Sequence, residues 1–86
     1  MHWTTDRFWK CFDALPEPVQ KLSKKNFGLL KTNPSHPSLH FKKVAKFWSV
    51  RIGLNHRALA IEDEEDFIWV WIGTHDEYKK MIKEKG

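Results

Sequence analysis

Residues 51 to 57 read RIGLNHR, an arginine at each end of a chain reversal with His56 beside the second. Gly53, Leu54 and Asn55 predict a three-residue β-hairpin loop, with Asn55 in the left-handed position that Asn tolerates better than most residues. Ile52 then pairs with His56, and Arg51 with Arg57. Both guanidiniums leave the same face of the sheet. Like charges placed directly opposite destabilise a sheet unless an anion sits between them, and a phosphate is the expected anion. A two-residue turn at Leu54 and Asn55 would instead send the arginines to opposite faces, because a one-residue slip flips every side chain. The plainer alternative is a pair of exposed strand arginines matched with nearby Asp or Glu.

Other groups add to this pair. The apolar run FIWVWI, residues 67 to 72, leads through Gly73 and Thr74 to His75, and Tyr78 falls one helical turn beyond it. Histidine is the side chain best suited to moving a proton near neutral pH. Two fixed cations, a titratable ring and an aromatic face match what RNA cleavage by the neighbouring 2′-hydroxyl requires. One group takes the hydroxyl proton, cations stabilise the phosphorane, and one group gives a proton to the departing 5′-oxygen. A flat ring such as Tyr78 can hold a base out of its stack. Lys42, Lys43 and Lys46 read either as contacts to an RNA backbone or as a solvated edge that discourages aggregation. No metal or cofactor is expected. His36 and His40 frame an irregular segment containing Pro37, which would not align two ring nitrogens as a helix would, and Cys11 is the only cysteine.

The whole chain of 86 residues has room for one domain with two layers, and carries a net charge of +4 and a pI near 9.3. Five of its eleven acids form EDEED, residues 62 to 66; the remainder sets fifteen Lys and Arg against six acids, a net +9. A basic body with one acidic tip suits a polyanionic partner, though a soluble basic domain with a solvated turn carries the same charges. Twelve aromatics, five of them Trp, supply core area that so short a chain otherwise lacks. No apolar run is long enough to span a membrane and no signal segment opens the chain, so a cytoplasmic protein is expected.

The elements that must position these groups follow from periodicity. Phe8, Cys11, Phe12 and Leu15 recur at helical spacing from Thr5 to Leu15, with Thr5 or Asp6 as cap. Pro16 and Pro18 interrupt, and Pro18 suits the first turn of a second helix reaching about Thr32. NPSHPS, residues 33 to 38, is an irregular connection. The pattern then alternates, predicting strands at Leu39 to Val44, Trp48 to Ile52, Arg57 to Ile61 and Phe67 to Ile72, the last one central because it is apolar throughout. Trp69 and Trp71 are expected on one face of it, in the core. THDEYKKMIKEK reads as a capped terminal helix with Thr74 as N-cap. The expected fold is α+β in two layers: a hairpin of two N-terminal helices packed on a mainly antiparallel four-stranded sheet, with a short C-terminal helix.

WSVRIGLNHRAL and WVWIGTHDEYKKMI, preceded by ALPEPVQKL and NPSHPSLHFKKV, resemble the RelE/ParE superfamily of toxins from bacterial type II toxin–antitoxin pairs. The resemblance covers nearly the whole chain, 1–86, as a single toxin domain. It implies an antiparallel sheet packed on a helical hairpin, a cognate antitoxin as partner and, in many members, ribosome-dependent cleavage of mRNA. Another branch inhibits DNA gyrase by protein contact, and a degenerate member would only bind its antitoxin. By the resemblance, Arg51 and Arg57 fall where RNA-cleaving members bind phosphate, His75 where they carry Arg or His, and Tyr78 near their C-terminal aromatic. Ser49 departs from the pattern, standing where the best-studied cleaving members have a further Lys, and the general base is left unassigned. His56 could serve only if it shared the arginines' face. Trp3, Trp9 and Trp48 could line a groove for the antitoxin.

Overall fold

Two prolines and three short turns set the course of the chain. In a computed structural model that describes residues 1–85, strand β1 (His2–Thr4) leads to helices α1 (Asp6–Asp13) and α2 (Glu17–Thr32). A 3₁₀ turn (Pro37–Leu39) follows, then β2 (Lys42–Val44), β3 (Phe47–Ile52), β4 (His56–Asp63), β5 (Asp66–Thr74) and α3 (His75–Lys85). Helix α1 starts where the Thr5 hydroxyl accepts the Phe8 N–H at 3.2 Å, and the same hydroxyl donates to the Trp69 carbonyl, pinning the helix to β5. It stops short of Leu15, because a residue before proline avoids helical backbone. The Pro16 carbonyl accepts from both Val19 and Gln20, starting α2 with Pro18 in its first turn.

The sheet has five strands, ordered β1-β5-β4-β3-β2, rather than the expected four. Strands β2 to β5 form the antiparallel meander, but β1 joins β5 in parallel, with Trp3 opposite Ile68. A three-residue strand carries too little alternation to be read from sequence; its pairing is imposed by β5. The first predicted strand is also shorter, since Leu39 closes the 3₁₀ turn and is fully buried.

Nor is the core two-layered. Phe8, Phe12 and Leu30 from the first two helices pack on Val50, Ile52, Ala58, Ala60 and Trp69 on one face of the sheet. The other face carries Phe47, Leu59 and Trp71, covered by Tyr78, Met81 and Ile82 of α3. Trp69 and Trp71 therefore lie on opposite faces, against expectation. A β-bulge is the reason: Leu59 pairs with Trp71 and Ala60 with Trp69, leaving Val70 unmatched. Trp48 stacks 4.9 Å from Phe41 and belongs to the core, whereas Trp3 and Trp9 remain exposed.

His2 on the edge strand is part of this packing. Its ring stacks 5.4 Å from Phe67, and its Nδ1 accepts the Trp69 Nε1–H at 3.0 Å. Loss of water, then the N-terminal ammonium and Lys31, hold its pKa below the ordinary histidine value. The unfolded chain thus takes up this proton at higher pH than the folded one. The stability that follows is fully present above about pH 6.5 and declines as pH falls toward the folded-state value. His2→Phe keeps a stacking ring but removes the titration and the acceptor for the Trp69 N–H. It should be less stable by about 1 kcal/mol near neutrality, yet lose less stability than the parent between about pH 7 and about pH 5 in urea unfolding. Parallel pH profiles would contradict this account.

Candidate functional site

The hairpin has the three-residue loop: Ile52 pairs with His56, and Arg51 directly with Arg57. The left-handed position belongs to Gly53, at φ 65°, and not to Asn55. Glycine adopts that backbone without steric cost, and a Cβ on Gly53 would in addition stand 2.8 Å from Leu22 Cδ2. Asn55 instead offers its carbonyl to the His75 N–H at 2.7 Å. That bond fastens the hairpin tip to the first residue of α3. Thr74 and Glu77 complete the junction as a capping box. The Thr74 hydroxyl accepts the Glu77 N–H at 3.2 Å, while Glu77 Oε1 accepts from the Thr74 N–H and hydroxyl. These bonds hold the Glu77 carboxyl below its ordinary pKa.

From this junction His75 stacks on Tyr78, ring centroids 5.7 Å apart, and the Arg57 guanidinium lies 5.9 Å from the Tyr78 ring. Arg57 Nη1 donates to the His56 carbonyl at 2.9 Å. Arg51 turns the other way: Nε donates to the Gly53 carbonyl at 3.0 Å, and Nη1 lies 3.2 Å from His40 Nε2. The pair thus leaves one face and diverges into a row, His40, Arg51, Arg57, then Tyr78 with His75. Partial burial followed by the Arg51 charge lowers the Arg57 pKa, and Tyr78 opposes the shift. The half-buried His75 is likewise lowered, by loss of water and then by Arg57, Lys79 and Arg51, against Asp76.

Among the described residues, the ion pairs are Met1 ammonium with Asp66 and Lys21 with Glu17; neither arginine meets a carboxylate. The acidic tip lies at the far end of β4, about 20 Å away at strand rise. Lys42 shares the arginines' face through its pairing with Ser49, which in turn lies opposite Leu59. Lys43 pairs with Trp48 and faces the other side; Lys46 sits in the β2–β3 turn, 5.7 Å over the Phe47 ring. His56, opposite Ile52, also faces away. His36 Nδ1 is taken up by Ser38, and among the described residues no three His, Cys, Asp or Glu come together as metal ligands.

His40 was not singled out for this site from sequence. Continuing the Lys42–Ser49 register back by two residues puts it beside Arg51, but that register was not available from the pattern alone, and its left-handed backbone, φ 45°, is not legible in residue type. A groove of about 560 Å³ adjoins Arg51 on the α2 side, lined by Leu22, Lys25, Asn26, Leu29 and His36 among others. Asn26 Nδ2 donates to the Arg51 carbonyl there, tying the hairpin to α2.

No protein-family model and no curated protein matches the chain. Solved structures do. The toxin–antitoxin complex RelB–RelE of Methanococcus jannaschii contains a chain matched at TM-score 0.71 with 16% identity, over 91% of this chain and 95% of that one. YafQ of Escherichia coli matches at 0.67 with 12% identity, over 91% and 96%. The isolated RelE toxin of E. coli matches at 0.62 with 13% identity, over 100% and 98%. The fold is therefore the one these toxins have.

Two measurements test the site's construction. Gly53→Ala should destabilise the domain by about 1–2 kcal/mol from the left-handed backbone alone, with the Leu22 contact adding to it; an unchanged urea midpoint would show that the loop is misdrawn. By NMR, His75 should titrate below the ordinary histidine range, and Arg57→Ala should raise its pKa by removing a like charge; no upward movement would separate the two groups.

Proposed function

We propose that this chain, folded as the RelE-type toxins are, is the toxin of a type II toxin–antitoxin pair and acts as a ribosome-dependent mRNA endoribonuclease. One observation carries the reading. Arg51 and Arg57 are direct cross-strand partners with, among the described residues, no carboxylate in ion-pair contact with either, and they adjoin a histidine whose pKa is lowered by loss of water and then by the Arg57 charge. Such a pair is unfavourable alone and favourable around a phosphate.

In this mechanism the two guanidiniums hold the scissile phosphate and take up the charge that grows on the phosphorane, so that this stabilisation comes from the chain itself. His75, whose lowered pKa favours the proton-accepting form, removes the proton from the 2′-hydroxyl. Tyr78, already parallel to His75 at 28°, offers its ring to a base and so sets the sugar against the imidazole. The groove beside Arg51 has the volume of a small-molecule site and can take a flanking nucleoside. Lys42 contacts the backbone from the same face. It also returns a cation to the neighbourhood of Ser49, which bears on the degenerate reading. Lys43, on the other face, and Lys46, in the β2–β3 turn, contribute to long-range attraction of the polyanion. An antitoxin polypeptide would silence the chain by covering this basic face, as the presence of antitoxin in the Methanococcus complex suggests.

Expression of the chain in bacteria, followed by mapping of RNA ends, tests the reading. New mRNA ends bearing 2′,3′-cyclic phosphate are expected. Arg57→Ala and His75→Ala should each reduce them by about a hundredfold or more while the variants stay folded. Growth arrest with intact mRNA and induced DNA-damage signalling would replace this reading with gyrase inhibition. Full cleavage by both variants would refute the residue assignments.

A further inference from the structure

A proton must also reach the leaving group, and the site described so far assigns none. Entering and departing oxygens lie roughly in line through phosphorus, so the base and the acid must flank the phosphate from opposite sides. His75 lies at the Arg57 end of the arginine row. At the other end Arg51 Nη1 meets His40 Nε2 at 3.2 Å, and the His40 ring is exposed. The residue ends the 3₁₀ turn in left-handed backbone, φ 45° and ψ 43°. Histidine enters that region more readily than most non-glycine residues, and here it turns the ring out of the 3₁₀ turn toward Arg51. Two residues further on, Lys42 enters the sheet opposite Ser49, which brings the bend carrying His40 to the Arg51 side of the hairpin.

We propose that His40 is the general acid of this site, protonating the departing 5′-oxygen from the opposite side of the arginine pair to His75. The inference rests on the nuclease reading above. Arg51, drawn to the phosphate, leaves His40 Nε2, and the negative phosphate favours a protonated imidazole there. The 2′-O–H bond breaks, its proton going to His75 and its electron pair forming the new O–P bond. The P–O5′ bond then breaks, its electron pair going to O5′, which takes the proton from His40. The products are a 2′,3′-cyclic phosphate and a 5′-hydroxyl. Exchange of one proton each with water resets the two rings.

The experiment uses purified chain, ribosomes, and a short mRNA made in two forms: natural, and with sulfur replacing the bridging 5′-oxygen at the mapped cleavage position. A thiolate departs without protonation, so the sulfur substrate needs no acid. His40→Asn is the variant of choice, because Asn tolerates the left-handed backbone. It should cut the natural RNA about a hundredfold more slowly than the parent and the sulfur RNA at nearly the parent's rate. His75→Ala should be slow on both. Equal rates for His40→Asn and parent on natural RNA would overturn the proposal. Equal slowing on both substrates would do so too, since it would make His40 only a positioning residue for Arg51. A parent chain that cuts neither RNA would overturn the nuclease reading itself, and this inference with it.

Discussion

Two guanidiniums held as direct partners across a hairpin repel one another, and the sheet tolerates this only because neighbouring groups draw them apart. Arg51 is taken by the Gly53 carbonyl and His40, Arg57 by the His56 carbonyl and the Tyr78 ring. Two of these partners are backbone carbonyls, one is an imidazole and one a π face. None cancels charge, so the field of the pair persists and reaches His75. A carboxylate in any of these positions would relax the hairpin and fill the place a phosphate is proposed to take. The one acidic cluster is kept a whole strand away, at the Asp63–Asp66 turn.

The repulsion has to be borne by a stiff frame. Val50 and Ala58, one residue inward from the arginines, are buried and pair with each other, and Ala58 pairs on its other side with Ile72. The loop is closed by the His75 N–H and by Asn26 reaching Arg51's own carbonyl from α2. On the arginines' face Gly73 stands opposite Arg57, and a Cβ there would collide with the Trp71 ring. The absent side chain lets the indole lie flat beneath the site. Trp71 reaches that face by regular alternation from Gly73, and the bulge at Val70 sends Trp69 to the other face, into the helical side of the core.

How much of this could be read from the chain follows from the range of each interaction. The arginine pairing was legible because a three-residue loop sets register locally, and RIGLNHR needs nothing distant to define it. The capped start of α3 was legible for the same reason, although the reciprocal Glu77 bond was not drawn from it. The left-handed residue was misplaced because the loop puts its positive φ at Gly53, the residue with no Cβ to oppose it, rather than at Asn55. Strand β1 and the bulge were invisible because β5 dictates them across the fold, and the bulge carries no mark in FIWVWI. The divergence of Lys42 from Lys43 is simple strand alternation, while Lys46 falls in the two-residue turn after the short β2. His40 was lost among residues that seemed fit only to be dismissed as metal ligands.

The position of His40 also bears on how the site meets its substrate. On the Arg57 side the groups are anchored by a helix cap and a buried strand end, and His75 has little freedom to adapt. On the Arg51 side the imidazole projects from an exposed bend between a 3₁₀ turn and a three-residue edge strand, where fewer apolar contacts restrain it. The long Arg51 side chain, bonded to a loop carbonyl and an exposed ring, is similarly free to reorganise. A rigid half that fixes the attacking end and a yielding half that follows the leaving end would let one arginine stay in place while the other moves with the phosphate. That asymmetry follows from the topology, because Arg57 belongs to the interior strand β4, whereas Arg51 on β3 is flanked by the sheet's short edge strand β2.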